Sequence, residues 1–215
     1  MVKKFSKKEA ISFGWNLTKT NFGFFVLLLI LVAVISVVLT SIPYLAKGKS
    51  PLLLILSLID IIVRTIITMG LIKISLKFCD NEKAKISDLF SSYPLFFKYL
   101  IGSILYVLII LGGLILLIVP GIIWAIQFQF FGYLIIDKGL GPIEALKKSS
   151  KITKDAKWNL FLFGILLVLI NILGALALLV GLFVTIPTTM IANAFVYRKL
   201  LSQVETFQES PTVSS

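Results

Sequence analysis

Apolar and polar positions along this chain alternate in long blocks rather than residue by residue. Apolar stretches run over Phe22–Tyr44, Leu52–Leu76, Phe96–Val119, Ile122–Ile136, Trp158–Val180 and Leu182–Tyr197. A helix needs about 20 residues to cross the roughly 30 Å hydrocarbon layer, and each block reaches or approaches that length. The pattern predicts an all-α, polytopic integral membrane protein with six transmembrane helices. They form one domain over residues 1–202, and a polar tail over 203–215 is expected to be disordered.

Short matches within the chain divide that domain into three units, at about 4–78, 86–137 and 141–202. Glu9-Ala10-Ile11 and Leu17-Thr18-Lys19 return as Glu144-Ala145-Leu146 and Ile152-Thr153-Lys154, each pair of segments leading into an apolar block. Gly102, Gly112 and Leu114 return as Gly164, Gly174 and Leu176, and Phe131 and Tyr133 as Phe195 and Tyr197. Asp88-Leu89-Phe90 reads as a shortened lead-in to the middle unit. The expectation is an internal repeat of an amphipathic surface helix followed by a two-span hairpin.

The lead-in of the last unit is the clearest. Gly141-Pro142 opens it, since proline suits a first helical turn. Leu146, Ser149, Ile152 or Thr153, and Ala156 then share one face, while Lys147, Lys148, Lys151 and Lys154 cover the rest. Such a helix can lie in the headgroup region and contact anionic lipid, or only anchor its hairpin. Pro120-Gly121 and Gly181 are suited to tight turns that close the last two hairpins on the opposite side.

Charge orients this arrangement. Lys3, Lys4, Lys7, Lys8 and Lys19 precede the first block. Lys73, Lys77, Lys83, Lys85 and Lys98 separate the second from the third, and Lys138, Lys147, Lys148, Lys151, Lys154 and Lys157 the fourth from the fifth. Arg198 and Lys199 follow the sixth. The other side has Lys47 and Lys49, and Arg64 lies within a block. Basic loops remain in the cytoplasm, so the protein is expected in the cell (plasma or inner) membrane with both termini inside. Trp124 falls at the outer boundary and Trp15 and Trp158 at the inner one, where aromatic belts form.

Composition changes the picture in what it excludes. With 58% hydrophobic residues, 14% charged residues and a mean hydropathy of +1.03 over 215 residues, the chain is too apolar for a soluble domain. The net charge of +11 is divided among span borders and makes no contiguous patch for nucleic acid. No signal peptide is evident. The lone Cys79 has no partner for an internal disulfide and is placed on the reducing side. Histidine is absent, which removes the commonest general base and most zinc sites. Carboxylates are thinly spread, and no glycine-rich phosphate loop occurs. An enzyme, a metal centre and a cofactor are therefore not expected.

The run LLLIVPGIIWAIQFQFFGYLIIDKGLGPIEALKKSSKITKDAKWNLF carries Pro120-Gly121, Gly141-Pro142, Glu144-Ala145-Leu146, Ser149 and Trp158. With Glu9-Ala10, Gly14-Trp15, Gly70, Ser87-Asp88-Leu89-Phe90, Pro187-x-Thr189 and Tyr197, it resembles a family of bacterial and archaeal six-span membrane proteins of unknown function. These are related to the membrane domain fused to some glycerophosphoryl diester phosphodiesterases. The resemblance implies architecture and brings no substrate. The six spans leave no room here for a phosphodiesterase domain, so that activity does not transfer.

Chemistry then rests on the polar residues inside the spans. Asp60 and Arg64, four apart in the second block, share a helix face and are expected to pair toward the bundle interior. Gln127, Gln129, Asn171 and Asn193 are the other candidates for an intramembrane polar site, or ties between helices. Gln127 and Gln129, two apart, do not share a face. Gly102, Gly112, Gly113, Gly164 and Gly174 are expected at close helix contacts, and Pro187 at a kink or near an outer helix end. Two functional classes remain. One is a non-catalytic membrane protein that scaffolds, regulates or interacts with lipid, alone or in a homo- or hetero-oligomer. The other is a small transporter or permease with a midplane Asp60–Arg64 site. The charge pattern gives the first test: cysteines placed at Lys49 and Lys151 should label from opposite faces of the membrane, and labelling from one face contradicts six spans.

Overall fold

The computed structural model of the chain describes residues 5–45, 50–177 and 179–209, which are helical throughout except for short connections and contain no strand. Lys3, Lys4, Lys47 and Lys49 of the charge argument, and 210–215 of the expected tail, lie outside the described residues. The helices are α1 (Lys7–Thr20), α2 (Phe22–Leu45), α3 (Ser50–Cys79), α4 (Phe96–Leu116) and α5 (Ile118–Phe128). They continue as α6 (Phe131–Lys138), α7 (Pro142–Thr153), α8 (Lys157–Leu176) and α9 (Leu182–Glu209). Two short 3-10 turns, Ile86–Leu89 and Tyr93–Leu95, stand before α4.

Five segments are long and apolar enough to cross a membrane: Phe22–Ser41, Leu53–Cys79, Ile86–Leu116, Ile118–Lys138 and Lys157–Leu176. Their exposed surfaces are apolar, as at Leu27, Val37, Leu58, Leu108 and Leu173, which is the reverse of a soluble fold. The expected sixth span is not among them. It became α9, the helix at the centre of the bundle, which packs against α1, α2, α3, α7 and α8. Its Ile191, Ala192, Ala194, Val196 and Tyr197 are fully buried. A helix surrounded by protein has no need of a lipid-soluble surface, and its Thr185, Thr188, Thr189 and Asn193 lower its hydropathy below that of its neighbours. Pro187 lies near its start. The helix also continues through residue 203 to Glu209, into the segment expected as tail, and Glu205 there meets Lys138 and Lys148 at 3.6 and 3.5 Å.

The fourth block differs from the expectation as well. It is two helices, α5 and α6, interrupted by a turn at Gln129 and Phe130. The link from α4 to α5 is the extended Leu117, with φ −170° and ψ 154°. Pro120 therefore sits in the first turn of α5, where its missing N–H has no helical partner to lose. Gly121 lets α5 approach α4, since a β-carbon there would meet Leu114 at 2.6 Å.

Segments at the basic end of the bundle pack in a regular order. α1 lies along α9, the Ile86–Leu89 turn lies on α3, and α7 lies on α5 and α6. On α1 the buried residues are Ala10, Gly14 and Thr18, and on α7 Ala145, Ser149 and Thr153 are fully buried. Small side chains at one face let helix backbones approach closely. Gly14 faces the Thr188 carbonyl and Gly70 the Leu89 backbone, so an added β-carbon at either would collide with main chain. Of the glycines assigned to close contacts, Gly102, Gly113 and Gly174 fit, whereas Gly112 and Gly164 have nothing within 4 Å of an added β-carbon. Gly70→Ala should thus lose more than about 1 kcal/mol of stability, while Gly164→Ala stays within about 0.5 kcal/mol of the parent. Thermal unfolding in detergent measures both.

Candidate functional site

The polar residues assigned to an intramembrane site do not come together. Asp60 and Arg64 do pair, with Arg64 Nε donating to Asp60 Oδ1 at 2.6 Å. The pair points away from the bundle: the Arg64 and Asp60 side chains are 45% and 31% exposed. The reason lies in how α3 packs. Its buried residues begin at Ile67 and continue with Met69, Gly70 and Ile74, so the half that carries Asp60 has no inner face to offer. Neither residue lines any of the main cavities. Elsewhere, Asn171 Nδ2 donates to Thr189 Oγ1 at 3.2 Å, tying α8 to α9. Asn193 is half-buried on α9 and makes no side-chain hydrogen bond among the described residues. Gln129 Nε2 bonds the Ile126 carbonyl at 3.0 Å.

Gln127 sits at a polar junction. The break between α5 and α6 frees backbone groups that an unbroken helix would pair, and α7 supplies the partners. Ser149 Oγ donates to the Gln127 carbonyl at 3.1 Å and accepts from the Phe130 N–H at 3.2 Å. Thr153 Oγ1 lies 2.9 Å from the same carbonyl. The Gln127 side chain donates to Ser150 Oγ at 2.7 Å and accepts from Lys157 Nζ at 2.6 Å. Irregular backbone at membrane depth is tolerated only where such partners exist. The face assigned to α7 from its spacing is buried as a whole, but against α4, α5, α6 and α9 rather than in lipid. Lys147, Lys151 and Lys154 are on its exposed side, and Lys148 is half-buried beside Glu205.

The strongest charged constellation joins the ends of α3, α6 and α9. Arg198 Nη1 donates to Asp137 Oδ2 and Nη2 to Asp80 Oδ2, both at 2.6 Å. Tyr197 OH donates to Asp137 Oδ2 at 2.9 Å. The Asp137 side chain is 12% exposed and that of Arg198 26%. Burial works against the Arg198 charge, but the hydrogen bonds and negative charge of Asp137 and Asp80 outweigh it and raise its pKa further. Lys77 pairs with Asp88 at 2.8 Å, and Asp88 also accepts from the Lys85 N–H, fixing the 3-10 turn to α3. Asp80 and Asp137 were not singled out in the sequence, and Arg198 was read only as a topology signal. A usable signal did exist. Both carboxylates stand at helix C-terminal ends, where the helix dipole disfavours anions, so each required a cation nearby.

These contacts can bind helices together, and no group of carboxylate, cysteine or histidine side chains fit to hold a metal occurs among the described residues. The cavities are apolar notches opening sideways. The largest, about 1070 Å³, lies between α1 and α8 and includes Lys7, Lys8, Trp15, Leu162 and Leu169. A second, about 320 Å³, is lined by Ile122, Ile126, Lys157, Trp158 and Phe161.

Residues 95–212 match the family described as a domain of unknown function, DUF7847. The chain is also 25% identical over 146 residues to the uncharacterized proteins Mb2590 of Mycobacterium bovis and Rv2560 of Mycobacterium tuberculosis. That match covers 67% of this chain and 45% of each relative, so the chain corresponds to under half of their length. No solved structure matches it.

Proposed function

Because the chain belongs to the family of the domain of unknown function DUF7847, we propose its role from its own structure: a non-catalytic integral membrane protein that scaffolds and contacts anionic lipid. In this reading six helices span the cell membrane as three repeated units with both termini in the cytoplasm, α9 being the sixth. Kinship with the membrane domain fused to glycerophosphoryl diester phosphodiesterases belongs to the same proposal and carries no activity with it.

The observation that carries the reading is where the polar groups are used. Arg198, Asp80, Asp137, Lys77, Asp88, Gln127, Ser149 and Thr153 all join one helix to another at the basic end. Groups used in this way hold a bundle rather than process a substrate. The exposed Lys147, Lys151 and Lys154 stand beside the apolar spans, where each basic residue contributes about 1 kcal/mol toward an anionic surface. The transport alternative, with Asp60 and Arg64 as a midplane site, draws less support, since neither residue lines one of the main cavities.

Lipid retention tests the proposal. Native mass spectrometry of the solubilised protein should show phosphatidylglycerol retained over phosphatidylcholine. Replacing Lys147, Lys148, Lys151 and Lys154 by glutamine should reduce that preference several-fold without unfolding the bundle. Equal retention of both lipids by the parent protein contradicts the lipid-contact reading.

A further inference from the structure

The outward face of α3 carries a polar stripe that nothing in the chain covers. Ser57, Asp60, Arg64 and Thr68 follow one another at three- and four-residue spacing and so lie on one side of the helix. Ser57, Arg64 and Thr68 are exposed and Asp60 is half-exposed. Around them the surface is apolar, with Leu54, Ile55, Leu58, Ile61 and Ile62 all exposed. The ion pair is also incompletely satisfied. Among the described residues it makes one hydrogen bond, from Arg64 Nε to Asp60 Oδ1, and the terminal guanidinium nitrogens and Asp60 Oδ2 make none.

If this helix spans the membrane, as proposed above, the stripe lies near the middle of the apolar layer. Ionisable residues at that depth face other protein or a water-filled cavity. This bundle provides neither, so a further helix is required. Small and polar side chains such as Ser57 and Thr68 are also those that join spanning helices.

We propose that this stripe is a dimer interface in which α3 of one copy packs against α3 of a second copy. Charge selects the partner. The stripe is self-complementary, because it holds one anion and one cation a helical turn apart. In a two-fold pair with its axis along the membrane normal, equivalent residues sit at equal depth. Asp60 of each copy then lies about one turn, roughly 5.4 Å, from the level of Arg64 in the other, within reach of the arginine stem. The free guanidinium N–H groups and the free carboxylate oxygen of each copy are satisfied by the other. Four charges close into a ring out of contact with lipid, and the hydroxyls of Ser57 and Thr68 face their counterparts.

Charge reversal in trans separates this from a pair that acts only within its own chain. The full chain, fluorescently labelled, is reconstituted in phosphatidylcholine vesicles and scored by single-molecule photobleaching steps. The parent protein should bleach mainly in two steps. Asp60→Arg, which leaves two cations in the stripe, and Arg64→Asp, which leaves two anions, should each self-associate about tenfold more weakly. Reconstituted together, these two variants should recover a dimer containing one copy of each. The double replacement Asp60→Leu with Arg64→Leu keeps an insertable helix and should run as monomer. A monomeric parent, a double-leucine variant that dimerises as well as the parent, or a mixture that associates no better than its components overturns the interface. Extraction by alkaline carbonate is scored separately: release of the parent protein would overturn the membrane reading itself, whereas retention with a monomeric parent overturns only the dimer.

Discussion

A carboxylate at the C-terminal end of a helix faces carbonyl oxygens and the negative end of the helix dipole, and it is stable there only beside a cation. This chain places two such carboxylates, Asp80 just past α3 and Asp137 in the last turn of α6, and answers both with Arg198 of α9. The guanidinium suits the task because its planar fork serves two carboxylates at once, which a lysine ammonium does less well. Three helix ends are thereby fixed relative to one another. Tyr197, fully buried beside Phe130 and Tyr133, holds Asp137 from a second direction, so the charged contact continues into the aromatic core.

Other contacts at the basic end depend on that placement. α9 is positioned to receive α1, whose Gly14 needs the Thr188 backbone at close range. α6 is positioned so that the break before it meets Ser149 and Thr153 of α7. α3 presents Gly70 to the Leu89 backbone and Lys77 to Asp88. The segments that lead into the apolar helices thus act as clamps across their ends rather than as floats on a lipid surface.

Much of the helix layout was legible in the sequence, because length and apolar content leave few alternatives for α2, α3, α4 and α8. The buried face of α7 was legible too, since Leu146, Ser149, Ile152 and Thr153 follow helical spacing. What covers that face was not, because periodicity reports burial and says nothing of the partner. The break before α6 left no mark, as Gln129 and Phe130 are not helix breakers and the cause lies in hydroxyls contributed by another helix. Asp60 and Arg64 were legible as a pair from their spacing, but not as an outward-facing one. That orientation depends on where α3 starts to be covered by its neighbours. The Arg198 network was hidden because its members lie 118 and 61 residues apart.

The central claim is that Arg198 holds the bundle by compensating two carboxylates, and a double-mutant cycle on Arg198 and Asp137 tests it most directly. Arg198→Met leaves Asp137 buried without a counter-charge and should lose about 3 kcal/mol or more of stability in detergent, whereas adding Asp137→Leu should recover much of that loss. A neutral Arg198→Met, or losses that simply add in the double variant, would contradict the account.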